Sequence, residues 1–546
     1  MTGGPTRYCA INPNTSILRI WFNPPWGSAV KPQFYPHHLS VICSLPLPLQ
    51  VSQHALQSQV LLMFLGLVEM SCSCQDPVSA YRFTGAVCRL TYPAAAVLNE
   101  KTTKVIEAAF QHTKYPNIDR EKSILFVGTV KYGLANLEIH NLSIGQSEFE
   151  LKAGEGIGMA ISNVSAVFRG TIKYGYGSWL VNVGHSIDFD IESHIDLGIN
   201  PKLYCGKGKV AADTSDCHLN FHKLHLLLQG DRQPGWLKRL FTDFITFTVK
   251  LVIKSQICKE INNVANILAD FIQEQAEQML SDGSISVNVG VTSSPVITSN
   301  YIESYHKGLT KYNNITAVIN ASVFDPSQLS EDRMLYFWLS DELFNGLIKA
   351  AHQDGRFVLN ISGLALTECF TTNLSTPVPE FLNQFMLSAE PLLRVWSVSV
   401  PHLWTTSLGS FVRAMVAVEL TNEDIRGLYF ETEVVVVVVA SYAEKKLSLD
   451  TTVSQISIIK ESMSTDTQLV FEGHMEYLKE ALVKIGVPKV TSELEPVLTA
   501  LLDKQGVHLF DIIRPQVVPQ DGFVIIQTDF GFPHHLLVEF LRKTLE

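Results

Sequence analysis

In SIDFDIESHIDLGIN, Ile187, Phe189, Ile191, Ile195, Leu197 and Ile199 fall on odd positions, and Asp188, Asp190, Glu192, His194 and Asp196 fall on even ones. Successive side chains of a strand point to opposite faces, so this segment reads as one β-strand, apolar on one side and acidic on the other. About thirteen residues at roughly 3.3 Å each make about 43 Å of strand, well beyond the usual length. Such a strand predicts a large, strongly twisted antiparallel sheet with one face covered and the other solvated. The acidic face reads as solvated surface, not as a metal site. The same alternation recurs in SISVNVGV (Ser284 to Val291) and around VKYGLANLEIHNLSI. The run Val434 to Val439, far too short to span a membrane, reads as a buried strand.

Helical periods punctuate these strands. AAAVLNEKTTKVIEAAFQHT carries apolar residues at Val97, Leu98, Val105, Ile106, Ala109 and Phe110. A longer helix is expected from Pro234 to Met279, opened by proline and closed by Asp282-Gly283. Its apolar stripe narrows to Ile257, Ile261, Val264, Ile267, Leu268 and Phe271, so a sheet must wrap it or lipid must touch it. A further helix pair is expected near His474 to Lys504. With 546 residues the chain is too long for one core, and the element order implies two α+β halves. Residues 74–312 form the first, 313–333 a linker, 334–532 the second, and 533–546 a terminal helix.

That terminal helix is unusually apolar. From Leu536, the residues Phe540, Leu537, Leu541, Leu545 and Val538 occupy an arc of roughly 200° at about 100° per residue. Pro533 stands where a helix readily begins. The whole chain is rich in such residues, 46% hydrophobic and only 17% charged, and this surplus has to go into cores, a membrane or an apolar ligand. No apolar run in the main body reaches the length of a spanning helix, so no transmembrane insertion is expected. The net charge of −11 argues against nucleic acid or an anionic membrane as the main partner.

Residues 1–73 read as an extension followed by a signal-like segment, QVLLMFLGLVEMSCSC, with cleavage after Ser73. Six sequons, at Asn141, Asn163, Asn314, Asn320, Asn360 and Asn373, are glycosylation candidates consistent with secretion. None of the nine cysteines forms a zinc-like pair of CxxC motifs, so no metal is expected. Cys217 and Cys258 flank about forty residues, and a bridge between them would contribute on the order of 4 kcal/mol by restricting the unfolded chain. Cys88, Cys205 and Cys369 are left unassigned.

Catalytic constellations are missing. There is no G-x-S-x-G elbow, no H-E-x-x-H and no P-loop. Gly154, Gly156 and Gly158 imitate a dinucleotide fingerprint without its final glycine. His534 and His535 diverge on a helix and cannot share an ion. The chain reads as a binding protein and not as an enzyme.

KYGYGSWL, the pair Cys217 and Cys258, FHKL, QPGWLKRLFTDFITFTVKLVIKSQICKEIN, SDGSISV, DRMLYFWLS, HLFDII, DGFVIIQTDFGFP and the tail HLLVEFL carry a further signal. Together they resemble the family of lipid-transfer and lipopolysaccharide-binding proteins, specifically its members that move cholesteryl esters. The likeness runs from about Cys74 to Glu546 and is looser between about Leu364 and Arg426. It implies an α+β fold: an elongated boomerang of two twisted-sheet barrels with long helices, joined by a central antiparallel sheet, with an internal lipid tunnel. It also implies a Cys217–Cys258 disulfide, and bound cholesteryl ester or triglyceride with phospholipid at the openings. By matching positions, Leu536, Leu537, Phe540 and Leu541 would face lipid as the terminal helix covers the mouth of the first barrel. Ser304 and His306 would lie beside the buried ester, and Gln273 would contact a phospholipid headgroup. Gln275 replaces the family arginine, which weakens the headgroup site. The implied function is exchange of neutral lipid between lipoprotein particles by a secreted plasma monomer. The alternative is a phospholipid-transfer or lipopolysaccharide-binding member. An ester with roughly twenty methylenes meets a desorption barrier above roughly 16 kcal/mol at about 0.8 kcal/mol each, and apolar walls remove most of it.

Overall fold

The computed structural model describes residues 74–531 apart from internal stretches, the longest at 230–245 and 463–473. The extension and signal-like segment at 1–73, and the expected terminal helix at 533–546, lie outside the described residues. After two short helical turns at Pro77–Ala80 and Tyr81–Phe83 come β1 (Ala86–Thr91) and helix α1 (Tyr92–Phe110). They are followed by β2 (Ile118–Ile124), β3 (Gly128–Ser143), β4 (Gln146–Lys152), β5 (Gly156–Ser178), β6 (Val181–Ile199), β7 (Lys202–Gly206), β8 (Lys209–Asp213) and β9 (Cys217–Leu228). Helical residues between 246 and 273 lead to β10 (Ile285–Asn288), β11 (Val296–Ile297), β12 (Tyr301–His306), β13 (Leu309–Tyr312) and β14 (Ile315–Thr316). Next come β15 (Leu335–Ser340), α2 (Asp341–Gln353), β16 (Val358–Ser362), α3 (Gly363–Thr371), β17 (Pro391–Ser397) and β18 (His402–Thr406). The chain continues through β19 (Gly409–Asn422), β20 (Ile425–Ala443), β21 (Lys446–Ser462), α4 (Met475–Ala481), α5 (Val487–Asp503), β22 (Asp511–Gln520) and β23 (Phe523–Gly531).

Among the described residues these strands make three larger antiparallel sheets, so the fold is α+β. The first has the order β2-β3-β5-β6-β9, with β4 also on β5. β6 is its spine and alternates as its sequence dictates. Ile187, Phe189, Ile191, Ile195, Leu197 and Ile199 are buried, and Asp188, Glu192 and His194 are exposed. The acidic side is matched across the ladder: Asp190 meets Arg169 at 3.1 Å, Thr171 donates to Asp188 at 2.7 Å, and Asp196 pairs with His222. Gly170 lies opposite Phe189, and a Cβ there would come within 2.6 Å of the Phe189 ring. Ile253, Ile257 and Ile261 from the helix at 246–273 pack on this apolar face, as the narrowing stripe predicts.

The second sheet, β16-β17-β19-β20-β21 with β18 on β19, is covered by α3, α4 and α5. The third has the order β11-β12-β1-β15-β23-β22 and is the expected central sheet, since three strands of the first half meet three of the second where β1 pairs with β15. One of its faces buries Val87, Tyr305, Tyr336, Trp338, Phe523 and Ile525. Residues 313–333 do more than connect the halves, because Phe324 and Leu329 join this core, with Phe324 edge-on to Trp338 at 5.2 Å.

Within this core lies a charged pair that alternation alone would not reveal. The side chains of Arg89 and Glu303 are only 2% and 1% exposed and stand 2.6 Å apart. Arg89 also donates to the carbonyls of Leu329 at 2.6 Å and Pro326 at 2.7 Å, and it stacks on Tyr301 at 3.9 Å. Tyr305 donates to the second Glu303 oxygen at 2.7 Å. Every polar atom of the pair is thus supplied, as burial of charge demands.

Cys217 and Cys258 form a disulfide that ties β9 to the helix packed over it. A second disulfide joins Cys74 to Cys205, which the sequence reading left unassigned. Its 131-residue separation makes it worth on the order of 5 kcal/mol in the chain-entropy account. Asn141, Asn163, Asn320 and Asn360 are exposed, whereas Asn314 and Asn373 lie outside the described residues.

Candidate functional site

The run Val434–Val439 is a strand segment, but it is not simply filled core. Val412, Ala414, Val416, Val418 and Leu420 on β19 share one face by the period of two. On β20 the facing residues are Leu428, Phe430, Val434, Val436 and Val438. The register sets Ala414 opposite Val434, and Val412 opposite Val436, so these side chains stand in rungs. Val418, Leu420, Leu428 and Phe430 pack in one cluster with Tyr477 and Leu478 of α4. Between the sheet and α3, α4 and α5 remains a cavity of about 310 Å³. Its walls are almost wholly aliphatic, and such walls repel water while accepting hydrocarbon. The volume falls at the lower end of small-molecule sites, about 300–1,000 Å³, and suits an acyl chain.

The helical wall has a break that sequence reasoning missed. Leu482–Gly486, between α4 and α5, forms a π-turn, and Leu482, Ile485 and Gly486 line the cavity. Pro488 follows two residues on. It has no N–H for the Lys484 carbonyl, and its ring would crowd that carbonyl in a regular α-turn. The wider turn relieves the clash and shapes the wall. Glu480 fastens α4 to the neighbouring segment by accepting from the backbone N–H of Ser375 at 2.6 Å and of Thr376 at 2.9 Å. Its salt link to Lys484 and these N–H bonds hold its carboxyl far below the usual range.

The central sheet brings Ser304 and His306 together on β12. They lie on the same face, and Ser304 Oγ is 2.8 Å from His306 Nε2. His306 Nδ1 is 2.7 Å from the Val289 carbonyl, which can only accept, so Nδ1 carries the proton in the neutral ring. Nε2 then accepts, and the Ser304 hydroxyl donates to it. Burial pushes the imidazole below the ordinary histidine range, with the Val289 bond partly offsetting it. Cys88 is the cross-strand neighbour of Ser304, and burial followed by the Glu303 charge pushes its thiol up to about 12. A backbone carbonyl and not a carboxylate stands at His306 Nδ1, so among the described residues the pair lacks the third member of a hydrolytic triad.

A pH dependence follows. His306 binds its proton less readily folded than unfolded, so its stabilising contribution is complete above about pH 6.5 and declines as pH falls toward the folded value. An NMR titration should give an imidazole midpoint below about 6.5, and a midpoint above about 7 would contradict this environment.

Of the other residues singled out in the sequence, Gln273 is half-buried at the end of the described helical residues. Gln275, Leu536, Leu537, Phe540 and Leu541 lie outside the described residues. Among the described residues no cluster of metal ligands is present, and no helix is long and apolar enough to cross a membrane. Sequence reasoning did not identify the cavity-lining residues of β19 and β20, although their period of two is visible once the strands are aligned.

Comparisons with known proteins give the same direction. A family model described as "LBP / BPI / CETP family, N-terminal domain" matches residues 96–272. A cholesteryl ester transfer protein of Gallus gallus is 44% identical over 497 residues, which span 89% of this chain and 98% of its own. The Homo sapiens protein of that name is 44% identical over 469 residues, 84% of this chain and 94% of its own. A crystal structure of lipopolysaccharide binding protein aligns with 82% of this chain and 99% of its own, at 18% identity and a TM-score of 0.41. The chain therefore belongs to the LBP / BPI / CETP family, on the branch of the cholesteryl ester transfer proteins.

Proposed function

We propose that this chain takes cholesteryl esters and triglycerides, with some phospholipid, into an apolar interior and exchanges them between lipoprotein particles as a secreted plasma monomer. The observation that carries this reading is the aliphatic cavity between the second sheet and its helices. Apolar walls lower the cost of taking hydrocarbon out of a particle without making or breaking a bond. Two disulfides and four exposed sequons support an extracellular setting.

In this reading residues 1–73 are removed, and 74–312 and 334–532 are the two lipid-holding halves, joined through 313–333. The helix at 533–546 covers an opening through Leu536, Leu537, Phe540 and Leu541, and Gln273 contacts a phospholipid headgroup. Ser304 and His306 meet the ester. The Ser304 proton is engaged by His306, so a carbonyl receives it either after a hydroxyl rotation or when His306 is protonated and donates in turn.

Mass spectrometry of lipid co-purifying with the secreted protein is expected to detect cholesteryl ester or triglyceride. Phe540→Asp should leave the melting temperature unchanged and slow transfer of a fluorescent ester. Unchanged transfer would remove the terminal helix from the mechanism. Phospholipid alone in the purified protein would favour a phospholipid carrier instead. Lipopolysaccharide capture would favour the defence branch, which a net charge of −11 opposes.

A further inference from the structure

The cavity beneath β19 and β20 contains one feature that hydrocarbon alone does not explain. Tyr477, on α4, lines it, is only 2% exposed, and its hydroxyl has no hydrogen-bond partner among the described residues. Other polar groups of the lining are already engaged. Thr491 donates to the Val487 carbonyl at 2.9 Å, and Thr451 lies 3.3 Å from the Thr491 oxygen. Lys489 pairs with Glu493 at 3.0 Å. The Cys369 thiol is at best a weak donor. Burial, followed by the nearby Glu480 charge, pushes the Tyr477 phenol up to about 12. It is therefore a protonated donor at neutral pH.

A buried hydroxyl without an acceptor is costly to keep, and phenylalanine would fill the same space without that cost. From the unpartnered hydroxyl and the aliphatic walls around it, we infer that Tyr477 is the hydrogen-bond donor for a carbonyl oxygen of neutral lipid held in this cavity. The ligand class is an acyl ester: long hydrocarbon for the walls and one acceptor for the phenol. Tyr477 is then a specificity-determining residue that favours esters over lipids without a carbonyl. This rests on the proposed neutral-lipid function and names one of its contacts.

The test compares a cholesteryl ester with the cholesteryl ether of the same chain length, which lacks the carbonyl. Each is loaded from vesicles into the full secreted protein and into Tyr477→Phe. The ester-over-ether preference of the wild-type protein should exceed that of Tyr477→Phe about fivefold, the effect of one net hydrogen bond. The lipid-free variant should melt no lower than the wild type, because it loses only an unpaired hydroxyl. An isotope-labelled ester carbonyl should shift its infrared stretch downward in the wild type and not in the variant. Equal preference in both proteins, or an unshifted carbonyl band in the wild type, overturns the role of Tyr477 while leaving neutral-lipid binding intact. Failure of the wild type to take up either lipid overturns the function itself, and this inference with it.

Discussion

Arg89→Met is expected to destabilise the protein by about 3–5 kcal/mol, because it strips the partner from a carboxylate that has no access to water. Glu303 would keep the Tyr305 hydroxyl, and the carbonyls of Leu329 and Pro326 would both lose their donor. Burial pushes the Glu303 carboxyl up, and Arg89 pulls it back. Without Arg89 the raised value wins, and the folded protein holds a proton that the unfolded chain releases. Stability of the variant should therefore fall as pH rises, with a larger loss at about pH 8 than at about pH 5. Urea unfolding at both pH values would measure this. The double variant Arg89→Met/Glu303→Leu should regain most of the loss, since a well-packed apolar pair can replace a buried ion pair. A single-variant loss below about 1 kcal/mol would mean that the pair behaves as a solvated one.

Ala414→Phe should produce the converse: a stable protein that carries little lipid. Ala414 faces the cavity on the rung opposite Val434, where a phenyl ring finds open space in place of packed neighbours. The usual overpacking cost of about 1–3 kcal/mol therefore does not arise. The ring would occupy a large part of about 310 Å³. Displacing about two methylene groups of a bound chain forfeits about 1.6 kcal/mol, so affinity should drop by more than about tenfold. Calorimetry and lipid loading on the same preparation check it. An unchanged lipid load with an unchanged melting temperature would show that lipid does not enter here.

The local structure was largely legible in the sequence, and the long-range structure was not. Alternation from Ile187 to Ile199 marks both the strand and its buried face, and the apolar stripe at Ile257 and Ile261 finds its sheet. Both follow from a period that each residue shares with its neighbours. The Cys74–Cys205 bridge escaped because cysteine spacing does not encode pairing across 131 residues. Arg89 in AVCRLT looks like the outward residue of a half-buried strand, yet the segment carrying Pro326 and Leu329 closes over it. The cavity is hardest of all. A valine run reads the same whether helices press against it or leave a cavity beside it, as they do here. Ser304 and His306 were singled out by resemblance, and the structure brings them into contact.

The strand order β12-β1-β15-β23 means that residues 86–91 cannot finish pairing until residues 335–340 have arrived, and those wait in turn for 523–531. At about 5–20 residues per second, the ribosome needs about 20–90 s to deliver that last partner after the first strand emerges. Throughout that interval the nascent chain exposes an unzipped edge, so its yield from cells should depend on how well chaperones shield that edge during translation.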